Sequence, residues 1–289
     1  MNRIDIIEIV FTILFVIWFI HFNNKAIVTT EYKLNLLNVE AEILRIVQVS
    51  DLQSRSFGKG QRNLLNKVAK AKPDIIVITG DLIDRNFTDY EKAMDAVKGL
   101  ASIAKVFYVQ GNHEESLQVE AYRDFLMKSE KYMEILLDRR YEFTKSGRVF
   151  CIGGLSEKTV DKSRGNDRNN RNHDEKLIID AAEEIFTDAE GDVKILLSHE
   201  PQLIDIYAKT SCDLVMSGHA HGGQFRIPFV NIGLYSPEQG LFPKYYQGVH
   251  QCQGKDGHRM NMVISRGLGN SKFPVRLFNR PEIVLLKIK

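Results

Sequence analysis

The sequence is poor in cysteine and carries no excess of charge of either sign. Among its 289 residues are only three cysteines, Cys151, Cys212 and Cys252, a number too small and too odd for a disulfide framework. Basic and acidic residues nearly cancel, at 39 against 37, so the strong basic excess of a dedicated nucleic-acid-binding protein is absent. Hydrophobic residues make up 44% of the chain, which excludes a disordered protein and supplies a core of ordinary size. We therefore expect a folded protein without a nucleic-acid partner.

One apolar run near the amino terminus departs from this average composition. Residues 9–20 are uncharged, and apolar residues extend the stretch over residues 4–22, at the short end of the roughly 17–25 residues that a spanning helix needs. No small-residue cleavage site follows, as a signal peptide would require. Trp18, His21 and Lys25 near its end are typical of a membrane border. We expect an uncleaved transmembrane anchor over residues 1–22, with a core helix or an amphipathic docking helix as the alternative.

The orientation of this anchor is weakly determined by the sequence. Arg3 precedes the apolar run and Lys25 and Lys33 follow it, so the positive-inside rule gives nearly a tie. A short uncleaved anchor more often leaves the next domain outside the cell, a preference that the reduced cysteines oppose. We expect a single-pass protein of the cell membrane, with the lipid bilayer as a partner and an extracytoplasmic domain favoured. The sequence does not indicate an oligomeric state.

From residue 43 onward, short β-branched runs alternate with helical patterns. Residues 23–42 are polar and mixed, which is typical of a linker or of a first edge strand. Apolar stripes of helical period predict helices that contain Leu64, Ala93 and Leu177. Strands are predicted at residues 43–49, 75–79, 106–109, 149–152, 195–198, 214–217, 260–265 and 283–288. This alternation predicts an α/β fold with a buried sheet, in one catalytic domain over residues 43–289.

Polar side chains directly follow five of the predicted strands. They are Asp51, Asp81, Asn112 with His113, His199, and His219 with His221. Ligands of open α/β sheets bind outside the carboxyl ends of the strands, and carboxylates, amides and imidazoles are ligands of metal ions. A single aspartate after a strand is usually a turn residue or a helix cap. The same arrangement at five strand ends indicates a metal site.

These residues lie in five blocks that resemble, in order, the motifs of calcineurin-like metallophosphoesterases. The blocks are Asp51-Leu52-Gln53, Gly80-Asp81, Gly111-Asn112-His113-Glu114, Ser198-His199 and Gly218-His219-Ala220-His221. The sequences GHAHGGQ at 218–224 and SRGLG at 265–269 also resemble a bacterial subgroup of often membrane-associated phosphodiesterases, which includes enzymes acting on UDP-diacylglucosamine. The resemblance covers residues 43–289 and implies a β-sandwich flanked by helices on both outer sides.

The resemblance also implies a site for two divalent metal ions. The first ion would be held by Asp51, Gln53 and His221, the second by Asn112, His199 and His219, and both by Asp81. His113 would act beside the leaving oxygen, as a general acid or as a stabilising cation. A hydroxide bridging the ions would hydrolyse a phosphodiester or pyrophosphate bond of a nucleotide or lipid-linked substrate. Mn²⁺ is favoured over Zn²⁺, Fe and Mg²⁺.

Position 53 departs from the family motif, which has histidine there. The amide oxygen of Gln53 is a neutral, weaker and harder ligand than imidazole, so its ligation would shift the first site towards Mn²⁺ or Mg²⁺. Alternatively, water fills the gap, or the first site is lost. The last case makes a metal-binding pseudoenzyme scaffold one alternative function, and a phosphomonoesterase or protein phosphatase is another. Arg266 and Arg276 either line a phosphate pocket or form structural salt bridges.

Overall fold

The structure, a computed structural model, describes residues 3–165, 172–230, 232–254 and 257–289. The helices are α1 (Arg3–Lys25), α2 (Arg62–Ala71), α3 (Tyr90–Ala101), α4 (Val119–Ser129), α5 (Glu157–Ser163), α6 (Glu175–Ile185) and α7 (Ile204–Tyr207). The strands are β1 (Val28–Leu34), β2 (Leu44–Val49), β3 (Ile75–Thr79), β4 (Lys105–Val109), β5 (Glu134–Ile135), β6 (Arg139–Lys145), β7 (Arg148–Gly154), β8 (Val193–Leu197), β9 (Leu214–Ser217), β10 (Arg226–Ile227), β11 (Ile232–Gly233), β12 (Tyr235–Ser236), β13 (Gly240–Leu241), β14 (Gly248–Gln253), β15 (Arg259–Ile264) and β16 (Glu282–Ile288).

Two six-stranded sheets pack face to face at the centre of the molecule. Their strand orders are β1-β16-β2-β3-β4-β5 and β14-β15-β9-β8-β7-β6. Strands β2 to β5 run parallel, as do β15, β9, β8 and β7. Val77 and Phe107 of the first sheet share one buried cluster with Ile152 and Leu197 of the second. The sheets therefore form a sandwich whose parallel strands deliver their carboxyl ends to a common edge.

Helices cover the outer face of each sheet. Leu64 of α2 and Val97 of α3 belong to a cluster on the first sheet, whereas Ile178 of α6 and Ile206 of α7 belong to a cluster on the second. All five residues of β3 are buried, because parallel strands covered on both faces have no side that meets water. The four layers confirm the predicted β-sandwich flanked by helices on both sides.

The sequence patterns did not predict three of the edge strands or three of the helices, namely β5, β6, β14, α4, α5 and α7. Strand β6 alternates between exposed and half-buried residues and carries arginine, lysine and glutamate, so its apolar signal is weak. Helix α4 likewise buries only three of its residues. Within residues 23–42, the edge-strand alternative holds, since β1 pairs in parallel with β16 from Val28 beside Glu282. Part of the predicted linker therefore belongs to the first sheet.

Helix α1 contains a candidate membrane span, and its last turn is fixed to the sandwich. Residues Ile6–Lys25 are long and apolar enough to cross a membrane and are almost entirely exposed. Asn24 Nδ2 donates to the Arg276 carbonyl at 3.2 Å, and the Arg276 N–H donates back to Asn24 Oδ1 at 3.0 Å. The Arg280 guanidinium lies 4.5 Å from the centre of the Phe22 ring. The end of α1 is thus attached to the loop that precedes β16.

Candidate metal centre

The predicted ligands meet where the carboxyl ends of both sheets come together. Two groups have their ligand atoms within 4.8 Å of one another: Asp81, His199 and His219 form one, and Asp51, Asp81 and His221 form the other. Asp81 is common to both groups. Asn112, which follows β4, places Oδ1 at 3.1 Å from His219 Nδ1 and so joins the first group. The two groups have the arrangement needed for two cations that share one carboxylate.

Left-handed backbone turns aim these side chains inward. The φ angles are 52° at Asp51, 48° at Gln53, 51° at Asp81, 66° at His219 and 48° at His221. Such angles are uncommon for residues with a Cβ and cost of order 1–3 kcal/mol each. Two turns are interlocked by hydrogen bonds from Asp51 N to Gly80 O at 3.0 Å and from Gln53 N to Asp81 O at 2.9 Å. Strain concentrated at several neighbouring positions points to a functional site.

Two glycines permit the close approach of the strand ends. A Cβ atom on Gly218 would lie 2.6 Å from Asp51 Oδ2, and one on Gly111 would lie 2.6 Å from Asp81 N and 2.9 Å from His199 Nε2. Real Cβ atoms essentially never lie this close to another heavy atom. Glycine is therefore required at both positions for the two sheets to bring their ligands together.

The hydrogen bonding of His199 fits metal ligation. Its Nδ1 lies 2.8 Å from the Thr79 carbonyl. Because a carbonyl can only accept a hydrogen bond, Nδ1 carries the hydrogen and donates it. Nε2 then faces Asp81 Oδ2 at 3.3 Å and His219 Nδ1 at 3.2 Å. Metal-binding histidines typically donate their other ring N–H to a carbonyl in this way. The Nε2 lone pair and the Asp81 carboxylate would repel each other unless a cation or a proton lay between them. Nε2 and Asp81 Oδ2 are therefore suited to bind a divalent metal ion together.

The electrostatics of the site show which protonation states burial favours. Burial and the charge of His199 lower the pKa of His219 to about 4, and burial together with Arg276 holds the pKa of His221 well below its ordinary value. Both imidazoles are therefore neutral at pH 7, as metal ligation requires. Burial raises the pKa of Asp81, but His199 and His113 outweigh it and hold that pKa well below the ordinary value. Asp81 thus remains a carboxylate.

Gln53 reaches the group that contains His221. Its Nε2 lies 3.3 Å from His221 Nε2 and 3.4 Å from Asp81 Oδ2. Its Oε1 is buried without a hydrogen-bond partner among the described residues. A half-turn of the amide would exchange the two atoms and aim Oε1 at the same point between His221 and Asp81. The side chain is thus within reach of the first predicted ion, and its ligation stays a prediction.

His113 lies beside the two groups and belongs to neither. Its backbone N–H donates to Asp81 Oδ1 at 2.9 Å, and its ring Nε2 is 3.9 Å from Asp81 Oδ2. Nδ1 accepts from the Arg85 N–H at 3.3 Å and lies 3.7 Å from Asp84 Oδ1. The ring is therefore held close to the shared carboxylate without being needed as a ligand.

Glu114 supports the site in a way that the sequence did not reveal. Its buried carboxylate accepts hydrogen bonds from the N–H groups of Asp81 at 2.9 Å, Ile83 at 2.8 Å and Gly111 at 2.8 Å. It thereby ties the turn after β3 to the turn after β4. Burial and the neighbouring Asp81 raise the pKa of Glu114 to about 8. Its place in the Gly111-Asn112-His113-Glu114 block was the available signal.

The two predicted phosphate-binding arginines lie in different surroundings. Arg276 is fully buried; it donates to the carbonyls of Gly269 at 2.7 Å and Arg266 at 2.8 Å, and its Nη2 lies 3.3 Å from His221 Nδ1. Because its guanidinium is buried against His221, Arg276 is better placed to position that imidazole than to contact a substrate phosphate. Arg266 pairs with Glu282 at 3.0 Å, as the salt-bridge alternative predicted.

A cavity of about 650 Å³ opens beside the two ligand groups. Gln53 forms part of its wall, together with Arg55, Asp84, Lys92 and Asn270. Lys25, the last residue of α1, donates to the Ser56 carbonyl at 2.8 Å, next to Arg55. The cavity is large enough for a small phosphoester and lies close to the end of the apolar helix.

Comparisons with known proteins agree with this geometry. Residues 44–223 match the profile of the family described as calcineurin-like phosphoesterase. The chain is 30% identical over 278 residues to the uncharacterized metallophosphoesterase Cj0846 of Campylobacter jejuni, covering 92% of this chain and 65% of that protein. It is 26% identical to the uncharacterized metallophosphoesterase YkuE of Bacillus subtilis, covering 90% and 85%. Haemophilus influenzae NAD nucleotidase, at 16% identity and a TM-score of 0.50 over 78% of this chain and 50% of that one, shares the fold.

Proposed function

Because the chain belongs to the calcineurin-like phosphoesterase family, we propose that it is a membrane-anchored phosphoesterase that uses two divalent metal ions to hydrolyse a phosphodiester or pyrophosphate bond. The observation that carries this proposal is the position of Asp81 in both ligand groups. One carboxylate shared by two groups of buried ligands suits a pair of ions rather than a single structural ion. Structural zinc sites, by contrast, are typically closed tetrahedra of cysteine and histidine.

The proposed ligands divide between the two groups. One ion would be held by Asp51, Gln53, Asp81 and His221, and the other by Asp81, Asn112, His199 and His219. When bound, the ions neutralise charge on the phosphoryl oxygens and lower the pKa of a coordinated water. We infer Mn²⁺ or Mg²⁺ at the first position, because Gln53 would offer a hard oxygen where the family motif has imidazole.

The remaining side chains of the site would orient its ligands and stabilise negative charge. His113 lies within 4 Å of the shared carboxylate. With Nδ1 held by the Arg85 N–H, its Nε2–H would donate a hydrogen bond to the leaving oxygen and stabilise the negative charge that develops there. Glu114 fixes the backbone on which Asp81 and Asn112 stand. Arg55 faces the cavity beside Gln53 and would attract the anionic substrate.

The position of the cavity supports a lipid-linked or membrane-proximal substrate. The span Ile6–Lys25 is apolar enough to cross a membrane, and its last residue contacts the loop that carries Arg55. We propose that residues 1–22 anchor the chain and that residues 43–289, together with β1, form the catalytic domain. A headgroup at the membrane surface would then lie close to the metal centre.

The test is a substrate and metal screen on the purified full chain in detergent. Bis(p-nitrophenyl) phosphate and p-nitrophenyl phosphate are compared after removal of metal and addition of Mn²⁺, Mg²⁺ or Zn²⁺, with elemental analysis of bound ions. Two ions per chain with faster diester hydrolysis are expected. Faster monoester hydrolysis would favour the phosphomonoesterase. One ion without turnover would favour the pseudoenzyme scaffold. That function is the second candidate because Gln53 replaces the histidine of the family motif.

A further inference from the structure

A second cavity, of about 750 Å³, lies between the carboxyl-terminal half of α1 and the β10–β11 hairpin, and we call it the α1 cleft. Among the described residues, none of the predicted metal ligands lines it. Its helix wall consists of Phe15, Trp18, Phe19 and Phe22. This spacing of three, four and seven residues places all four rings on one face of the helix. The cleft therefore has an aromatic wall that belongs to the candidate membrane span.

The opposite wall is also apolar, and its tip is exposed. Ile227, Pro228 and Phe229 come from the hairpin, and Phe278 comes from the loop before β16. Phe229 is fully exposed, and Phe278 is 50% exposed although its ring lies 5.2 Å from that of Phe19. Phe15 to Phe22 extends about 10 Å along the helix axis. If α1 spans a bilayer, this hairpin enters the same bilayer beside it.

The inner end of the cleft is positively charged. Arg226, Arg266 and Arg280 line it, and Arg266 is neutralised by Glu282 at 3.0 Å. Arg226 is only 8% exposed, and among the described residues its guanidinium has no hydrogen bond or ion pair; Nε in particular is buried without a partner. Arg280 donates a hydrogen bond from Nε to the Ala26 carbonyl at 2.9 Å and has no acidic partner among the described residues. Two positive charges therefore remain unpaired where the apolar walls end.

A buried arginine without an acceptor is unfavourable unless a ligand completes it. Burial and the nearby Arg266 lower the pKa of Arg226, which reflects that cost. A phosphate group accepts two parallel hydrogen bonds from a guanidinium, one on each of two oxygens. The aromatic wall beside these arginines suits an acyl chain. A phospholipid is a molecule that carries both a phosphate and an acyl chain.

We propose that the α1 cleft binds one anionic phospholipid of the membrane, with an acyl chain against Phe15, Trp18 and Phe229 and the phosphate at Arg226 and Arg280. The two unpaired arginines favour a headgroup of net negative charge over a zwitterionic one. This inference rests on the proposed anchoring of α1 in a membrane and is independent of hydrolysis. The bound lipid would hold the hairpin and the metal-bearing loop before it at the bilayer surface.

Trp18, the one tryptophan of the chain, reports directly on the cleft. The full chain is placed in phosphatidylcholine vesicles that contain equal low fractions of either brominated phosphatidylglycerol or brominated phosphatidylcholine. Bromine quenches a tryptophan that the acyl chain contacts. We expect brominated phosphatidylglycerol to associate with Trp18 roughly fivefold more strongly, the contribution of one juxtamembrane arginine. Arg226→Gln should remove most of this preference, leaving the part due to Arg280, and Arg226→Lys should retain most of it.

Two further variants keep the result interpretable. Arg280→Gln changes a less buried arginine of the cleft and should reduce the preference even if Arg226→Gln fails to fold. Arg148→Gln, on β7 and paired with Asp192, removes the same charge elsewhere and should leave the preference unchanged. Equal association of both brominated lipids in the natural chain, or a preference unaltered in both cleft variants, would overturn the proposal.

The outcome separates this inference from the proposed activity. If neither brominated lipid quenches Trp18, α1 is not in the bilayer, and both the anchoring and the lipid site are refuted. If the lipid preference is present but no phosphoester is hydrolysed, the activity is refuted and the lipid site stands.

Discussion

Asn24, in the last turn of the amino-terminal helix, is bonded twice to the backbone of Arg276, on both its N–H and its carbonyl. The side chain of Arg276 in turn lies 3.3 Å from His221 Nδ1. A residue of the candidate membrane span is therefore separated from a proposed metal ligand by one intervening residue. The position of the helix and the geometry of the metal centre are mechanically connected.

The first prediction tests this connection. Asn24→Ala leaves the buried Arg276 N–H without an acceptor, which costs about 1–3 kcal/mol, and it should weaken metal binding at the group containing His221. Thermal unfolding and Mn²⁺ titration of the metal-free full chain measure the two effects. Asn23→Ala is the matched control, because among the described residues the Asn23 side chain hydrogen-bonds only to the Phe19 carbonyl within α1. Equal Mn²⁺ affinity in the two variants would contradict the connection.

The second prediction concerns the shared carboxylate. Asp81→Asn removes a charge that both ligand groups use. Loss of a residue that only supports a metal ligand lowers metal affinity or activity 10–100-fold. Because Asp81 is itself a proposed ligand, phosphodiesterase activity should fall at least about hundredfold, and fewer than two ions should remain bound. Activity assays and elemental analysis on the same preparation measure this. Asp124→Asn, on the surface of α4, should keep both ions, and full activity in Asp81→Asn would remove the bridging role.

The third prediction separates the possible roles of Gln53. If its oxygen ligates, Gln53→Ala should weaken the first ion about tenfold or more, and Gln53→His should raise the preference for Zn²⁺ over Mn²⁺ because imidazole is the softer ligand. Competition titrations with the two metals measure both quantities. Unchanged Mn²⁺ affinity in Gln53→Ala would show that water, and not the side chain, occupies that position.

The fourth prediction follows from the buried carboxyl of Glu114. Its pKa, about 8 in the folded chain, lies above the ordinary value, so the native state holds this proton more tightly than the unfolded state. The stabilisation is complete below about pH 4.5 and is lost as the pH rises through about 8. In the metal-free chain, the free energy of unfolding should therefore fall less steeply with pH in Glu114→Gln than in the natural protein.

Urea unfolding between pH 5 and 8 in the presence of a chelator measures this difference. Glu120→Gln, at an exposed position of α4, serves as the control and should follow the natural chain. Parallel curves for Glu114→Gln and the natural chain would show that Glu114 does not titrate in this range.

Local sequence patterns were sufficient wherever the structure depends on a strand and the turn that follows it. Strands β3 and β9 have the predicted bounds, because a short β-branched run that is buried on both faces is visible without its neighbours. Strand β6 and helix α4 were missed, since each presents only part of its surface to a core. Their apolar residues are too few to produce a periodic signal.

The sequence by itself determined the inventory of the site: which carboxylates, amides and imidazoles follow buried strands, and that an apolar segment precedes them. Only the tertiary structure decided which of them meet. Asp81 follows β3 of the first sheet and His199 follows β8 of the second. Their 3.3 Å separation depends on sheet packing that no local pattern encodes. The burial of Arg276 and its bonds to Asn24, 252 positions earlier, have the same origin. Contacts between distant segments are set by the packing of whole layers, whereas strands and turns are set by their own residues.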